Sequence, residues 1–438
     1  MLLLILLAST CSAEPPWVVS CLPDLGDVGV DPALSEIRIE FDQDMRSGRS
    51  MCGGGPTFPV VVGDPRWESP RVFVANVKLE SGREYGFSIN CPSALNFRSS
   101  KGEPAEVTRI TFRTAAEGET PEPSRRLTPG DNSPAIDALR RAIDERYSYR
   151  DLRVKDWDAL FATHEGDMMA ARTPAAFARA AARLLAPAQD IHIRLAVNDQ
   201  LIPTHRAGAK WNINPSLVRT LVPGFEQHNA IVATGQWPDG VGYLQIASWP
   251  GGGAGEDDTL GPALEAISRM ADCKAILIDV RQNGGGSEPS ARRIAGRFVR
   301  ETTTYSLSRH RDATSPDAWG EPIPRRISPS GDRFEGRVVV LIGRGCVSSN
   351  ESFILMMKHG AGAVLIGETT YGSSGNPRGT TLGNGVEVSL PSWQDLFPDG
   401  TLLEGRGIPP DVAAGNGSDF KAEDPVIEAA LRQVRRVE

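Results

Sequence analysis

Hydrophobic positions change their spacing along this chain, and each change marks a different kind of element. Between residues 17 and 114, "WVVS", "EIRIEF", "FPVVV", "RVFVANVKL", "YGFSI" and "VTRITF" are short runs of β-branched and aromatic residues, several alternating with polar ones and divided by Gly, Pro, Asp and Ser. Alternation with period two marks half-buried strands, so residues 14–114 are predicted to form a small β-sandwich. Residues 115–132, "AAEGETPEPSRRLTPGDN", offer almost nothing apolar to bury. They predict a linker, and with it an N-terminal module separable from residues 133–438. The spacing then becomes helical: Ser133-Pro134 precedes Ile136, Leu139 and Ile143, and Thr173-Pro174 precedes Phe177, Leu184 and Leu185. A hydroxyl residue followed by proline is a helix start, so residues 133–195 predict a helical subdomain.

Beyond residue 240 the pattern changes again. "VGYLQIASW", "KAILIDV", "RVVVLIG", "AVLIG" and "VEVSL" alternate with helices expected near 259–270, 289–300 and 350–358. Runs such as "AILIDV" lack alternation, as strands covered on both faces do. Residues 196–438 therefore predict an α/β core.

The first residues, "MLLLILLASTCSAEPP", hold an apolar run of about eight residues followed by small ones, the form of a leader over 1–13 cleaved after Ala13. The run is too short to span a bilayer. The cysteine in "LASTC", Cys11, offers lipid attachment as a second route. Either way the chain is expected to be exported, to the periplasm, the cell envelope or the exterior. In that setting two of Cys21, Cys52 and Cys91 can oxidise, and the sequence does not choose the pair. Cys273 and Cys346 sit in strand-like apolar surroundings and read as packing residues. A formal net charge of -8, with no basic cluster, excludes nucleic acid as a partner. The six histidines show no ligand spacing of the HExxH kind, so neither metal nor other cofactor is expected.

Four segments carry candidate chemistry. In "DVRQNGGGS", residues 279–287, a buried strand runs into three glycines that let backbone N–H groups face a ligand. "VVVLIGRGCVSSNESF" is a second buried strand entering a helix, and a serine at such a junction is either an N-cap or a nucleophile beside orphan N–H groups. "AQDIHIRL" presents His192 at the entry to an alternating strand, and "LLEGRGIPPDV" presents Glu404 before a Gly- and Pro-rich turn.

In order and wording these segments resemble the tail-specific (C-terminal-processing) serine peptidases and their relatives, the tricorn protease core and the interphotoreceptor retinoid-binding proteins. "DxH", "DVRxNGGG", "S-x-x-E" followed by "GExTxG", and "GIxPDV" are successive landmarks, and the resemblance covers roughly residues 133–415. It implies a crotonase-like (ClpP-like) α/β peptidase core and a peptide or protein substrate. The opening "PPWVVSCLPDLGDVGVDPALSEIRIEFDQDM" is similar to bacterial Ig-like modules. The family's nucleophile precedes the helix glutamate, here Glu351, by three residues, which makes it Ser348. Ser349 and Ser352 then read as helix start and helix surface. The oxyanion donors implied are the N–H of Ser349 and a glycine N–H from Gly284 or Gly285.

The chain departs from one branch of this family. Ser-Lys enzymes carry their lysine where this sequence has Ser373, in "GETTYGSSGNP", and Lys358 lies within a helix. In the tricorn-like branch the base is a histidine of the "DxH" region, oriented by a glutamate before the "GIxPD" turn, which implies His192 and Glu404. Imidazole, with a reference pKa of about 6.5, suits a serine that needs a base at neutral pH. Ile191 replaces the serine that precedes the histidine in that branch, so a fourth relaying hydroxyl is absent or comes from elsewhere. About 45 residues lie between Leu195 and Val241, too few for a PDZ module. The expected function is an exported serine peptidase, with oligomers as a further expectation from the tricorn relatives. The rival is an inactive homologue that binds an apolar ligand or peptide.

Overall fold

A computed structural model describes residues 14–205, 208, 211–251, 258–311 and 318–436. The expected leader and Cys11 lie outside the described residues. The chain forms two compact units: residues up to 143 with 151–205 and 379–389, and residues 144–150 with 206–378 and 390–438.

The first unit opens with β1 (Val18–Leu22), β2 (Glu36–Phe41), β3 (Met51–Cys52), β4 (Val60–Val61), β5 (Arg66–Trp67), β6 (Val72–Lys78), β7 (Glu84–Ile89) and β8 (Thr108–Arg113). One sheet runs β1-β2-β6-β4, with β5 also on β6, and another runs β3-β7-β8. Inward residues of both, among them Ile37, Ile39, Phe73, Tyr85, Phe87 and Ile110, share one core, as period-two patterning requires. Cys52 and Cys91 form a disulfide, Cα atoms 6.2 Å apart, and Cys21 is a buried thiol. The helices follow as α1 (Pro129–Arg146), α2 (Arg150–Arg153), α3 (Trp157–Ala170) and α4 (Pro174–Leu185). Thr173 caps α4 as expected, its hydroxyl accepting from the Ala176 N–H. Helix α1 begins before the expected Ser133: Thr128 and Asp131 bond each other across its first turn, and Pro134 lies inside.

The N-terminal sheets and helix α4, read from the sequence as parts of separate modules, share buried contacts. Ala175 of α4 belongs to the β-sheet core. Arg179 of the same helix buries its guanidinium against Asp24, with two bonds of 2.9 Å, and reaches the Val18 carbonyl. Asp24 also accepts from Thr173. A composition-based reading of residues 115–132 could not register a contact made by residues on either side of them. Arg179→Met leaves the Asp24 charge buried and unpaired, and is expected to cost about 3–5 kcal/mol. Denaturant unfolding of the full chain measures it as a lowered first midpoint.

After β9 (Arg194–Val197) and β10 (Gln200–Pro203), the second unit contains α5 (Pro215–Leu221), β11 (Glu226–Gln227), β12 (Val232–Trp237), β13 (Val241–Ile246), α6 (Gly261–Arg269), β14 (Ala275–Asp279), α7 (Glu288–Ala295), β15 (Thr303–Arg309), β16 (Ile323–Ile327), β17 (Arg337–Ile342), α8 (Ser349–Ala361) and β18 (Val364–Gly367). Then come β19 (Pro377–Thr381), β20 (Glu387–Pro391), β21 (Gln394–Leu396), β22 (Val412–Ala413) and α9 (Pro425–Arg435). β19 and β20 complete the first unit's sheet β10-β9-β20-β19.

The main sheet runs β11-β12-β13-β14-β17-β18-β22, parallel from β13 onward. Ile276, Ile278, Val340 and Ile342 face one core while Leu277, Val339 and Leu341 face the other. That two-sided burial is why these strands read as unbroken apolar runs. Because β14, β17 and β18 are adjacent and parallel, the segments that follow them leave the sheet at one edge. Those segments are the glycine turn, the serine turn and residues 368–376.

Candidate active site

Ser348 stands at the start of α8 with φ 59° and ψ -130°. A serine that only caps a helix sits in the β region. An L-residue in this conformation costs about 1–3 kcal/mol and persists where the surroundings impose it. The surroundings are visible: the Ser348 N–H donates to the Ser373 carbonyl at 2.9 Å and toward Glu351 Oε2 at 3.2 Å. From the other side comes the glycine turn. A Cβ on Gly285, whose φ is +101°, would stand 2.8 Å from the Val347 carbonyl, 3.0 Å from Ser348 Cβ and 3.3 Å from the Ser349 nitrogen. Glycine is required there because the two turns meet backbone to backbone.

Asparagines fix that meeting. Asn350 donates to the Val280 and Asn283 carbonyls and accepts from the Trp249 indole. Asn283 Oδ1 accepts the Gly285 N–H at 2.9 Å. Of the two glycine amides expected as oxyanion donors, Gly285 is therefore already engaged. The Ser349 hydroxyl donates to the Gly286 carbonyl at 2.6 Å, which ties the first turn of α8 to the glycines.

Glu404 is buried, and its Oε2 accepts the Ser374 N–H at 3.0 Å. The Gly405 N–H returns to the Gly372 carbonyl at 2.8 Å, so the Glu404 turn and residues 372–374 form one piece. The Ser374 hydroxyl donates to Asp395. Asp395 also holds Arg325, which reaches Ser352 Oγ at 3.0 Å and pairs with Glu288. Ser352 is thus a buried acceptor and not the helix-surface residue expected, because a buried guanidinium reaches it from β16.

Ser348, Ser349, Gly284, Gly285 and Glu404 belong to the second unit, and His192 belongs to the first. His192 is buried just before β9, its backbone N–H donating to Asp190 Oδ1 at 2.9 Å. Lys358 pairs with Asp411 at 2.8 Å near the far end of α8. Cys346 is fully buried, its thiol donating to the Val280 carbonyl, and burial pushes its pKa up. The sequence reading missed Asn283, Asn350, Asp395 and Arg325. The two asparagines stand inside the quoted motifs, whereas Asp395 and Arg325 stand in segments without any pattern. Among the described residues, no group of three or more His, Cys, Asp or Glu is arranged to hold a metal ion.

Residues 240–414 match the profile of Peptidase family S41. The chain is 23% identical over 182 residues to the carboxy-terminal processing protease CtpB of Bacillus subtilis, covering 42% of this chain and 35% of that protein. It is 26% identical over 177 residues to a probable CtpA-like serine protease of Staphylococcus haemolyticus, covering 40% and 33%. The matched part thus spans about a third of the length of these relatives. Among solved structures, a candidate peptidase from Parabacteroides merdae superposes with a TM-score of 0.60 at 24% identity, over 71% of this chain and 98% of that one. Mature CPAF gives 0.50 at 12% identity, over 69% and 97%. At these identities the superpositions establish the fold alone.

Proposed function

The chain belongs to peptidase family S41 through residues 240–414, and from that premise we propose that it is an exported serine peptidase acting through an acyl-enzyme on Ser348. The observation that carries this is the strained Ser348 backbone, pressed against Gly285 at the edge where three parallel strands deliver their loops. Ligand sites of parallel sheets lie at the carboxyl ends of the strands.

In this reading His192 takes the Ser348 proton as Oγ attacks the substrate carbonyl carbon, and Glu404 orients the imidazole. The oxyanion is held by the Ser349 N–H and an amide of the glycine turn. Since the Gly285 N–H is engaged by Asn283, the proposed turn donor is Gly284 or Gly286, with Gly285 supplying room. The imidazolium returns its proton to the leaving amine, and water deprotonated by His192 then hydrolyses the acyl-enzyme. A histidine base is favoured over a Ser-Lys dyad by Ser373 at the lysine position and by the Lys358–Asp411 pair. The Ser374 hydroxyl does not serve as a relaying fourth group, because it is turned to Asp395. We assign residues 14–114 as an Ig-like sandwich, on its two sheets and common core, and the second unit as crotonase-like. The Cys52–Cys91 disulfide supports an oxidising compartment and hence export.

Treatment of the full chain with a fluorophosphonate, followed by peptide mapping, tests the assignment. The adduct is expected on Ser348. An adduct on Ser349 or Ser352, or no adduct on a folded chain, would overturn it.

A further inference from the structure

We propose that Glu351 is a positioning residue: its carboxylate, saturated by four donors, clasps residues 370–373 to the nucleophile turn and holds Ser348 in its strained conformation. The proposal rests on Ser348 being the nucleophile. Glu351 lies one turn into α8, is fully buried, and takes no part in the chemistry described above. Its Oε1 accepts the Thr370 hydroxyl at 2.5 Å and the Gly372 N–H at 2.8 Å. Its Oε2 accepts the Ser373 N–H at 3.0 Å and the Ser348 N–H at 3.2 Å. An ionised carboxylate offers about four lone-pair sites, so this one is filled.

The clasp is continuous with both sides of the site. The Ser348 N–H shared with Glu351 also meets the Ser373 carbonyl at 2.9 Å. The next residue, Ser374, donates its N–H to Glu404. Thr370 is anchored in turn by the Ile408 N–H, which donates to its Oγ1 at 2.8 Å. One carboxylate thus sets the distance between the nucleophile and the turn that carries the acid.

Saturation makes the clasp depend on ionisation. Three of the four neighbours are backbone N–H groups that only donate, so a proton on Oε2 must displace one of them, and a proton on Oε1 must displace the Gly372 N–H or reverse the Thr370 bond. Burial raises the Glu351 pKa to about 7, and its hydrogen bonds oppose that shift. The sign for stability follows from the raised value. The folded state gains from protonation below the ordinary carboxylate range, and this gain is lost as pH rises from that range through about 7. Acidification therefore opens the clasp without destabilising the fold through this group. The titratable side chain facing Glu351 from the preceding turn is the Cys346 thiol, with the Asp279–Arg281 pair beyond it. Glu404 is connected through Ser374.

The test is fluorophosphonate labelling of the full chain as a function of pH and probe concentration, for wild type, Glu351→Gln, Thr370→Val and Ser348→Ala. Glutamine keeps the volume but turns an NH2 toward N–H donors, so its maximal labelling rate is expected to fall about 100-fold at neutral pH with little change in half-saturating probe concentration. Its acid limb should lose one proton: the logarithm of the wild-type rate falls with a slope approaching about two, and that of the variant with a slope of about one. A residue that merely supports the fold would lower the melting temperature and leave the slope unchanged. Should Glu351→Gln fail to fold, Thr370→Val, which removes one donor, is expected to lower the rate about tenfold. Wild-type rate and slope in the folded glutamine variant, or in the valine variant where glutamine does not fold, overturn the clasp. Labelling that persists in Ser348→Ala overturns the nucleophile assignment instead.

Discussion

Ser348→Ala is expected to lower peptide hydrolysis by about 10⁴-fold or more and to abolish fluorophosphonate labelling, with the melting temperature unchanged. The change removes one hydroxyl and keeps the Cβ, so the strain at φ 59° remains and the Ser348 N–H can still reach Ser373 and Glu351. Ser348→Gly separates strain from chemistry. Glycine tolerates this conformation, so that variant should be equally inactive yet more stable by about 1 kcal/mol. Ser349→Ala should keep most activity: it loses the hydroxyl bond to Gly286 but retains the backbone N–H proposed for the oxyanion. Kinetics, labelling and thermal unfolding of these three variants give the comparison. A Ser348→Ala protein that still hydrolyses peptides, or a Ser349→Ala protein as inactive as Ser348→Ala, contradicts the assignment.

The serine turn was legible because its signal is local. A buried apolar run, a glycine-rich turn and a helix start within about fifteen residues can arrange themselves in few ways. The same holds for "AILIDV", whose lack of alternation announced the two cores that Ile276 and Leu277 face from opposite sides of one strand. Register between neighbouring strands then brought two distant motifs together, with Asp279 opposite Leu341.

What escaped the sequence was long-range pairing of polar groups. Asp24 and Arg179 are 155 positions apart, and each alone reads as a surface charge. Together they are buried, a contact that the composition of the segment between them does not register. Arg325 likewise stands in no patterned segment, yet it is enclosed by Asp395, Glu288 and Ser352. Periodicity reports where apolar groups go. It is silent about a charge whose burial depends on one remote partner.

His192→Ala is expected to reduce hydrolysis and labelling by about 10³–10⁴-fold, since an unassisted serine hydroxyl is a weak nucleophile at neutral pH. Added imidazole should restore part of the loss, which a misfolded variant would not show. Glu404→Gln should cost less, about 10–10³-fold, because glutamine can still accept the Ser374 N–H but no longer stabilises a charged imidazole. Lys358→Ala is the control for the competing dyad. Lys358 has a side chain 32% exposed and engaged with Asp411. A partly exposed pair of this kind contributes no more than about 1 kcal/mol, so activity should stay within about twofold of wild type. The base is decided by the order of the three variants under one assay. Loss in the lysine variant with full activity in the histidine variant would move this chain to the Ser-Lys branch, and Ser373 would then stand at the lysine position without chemical meaning.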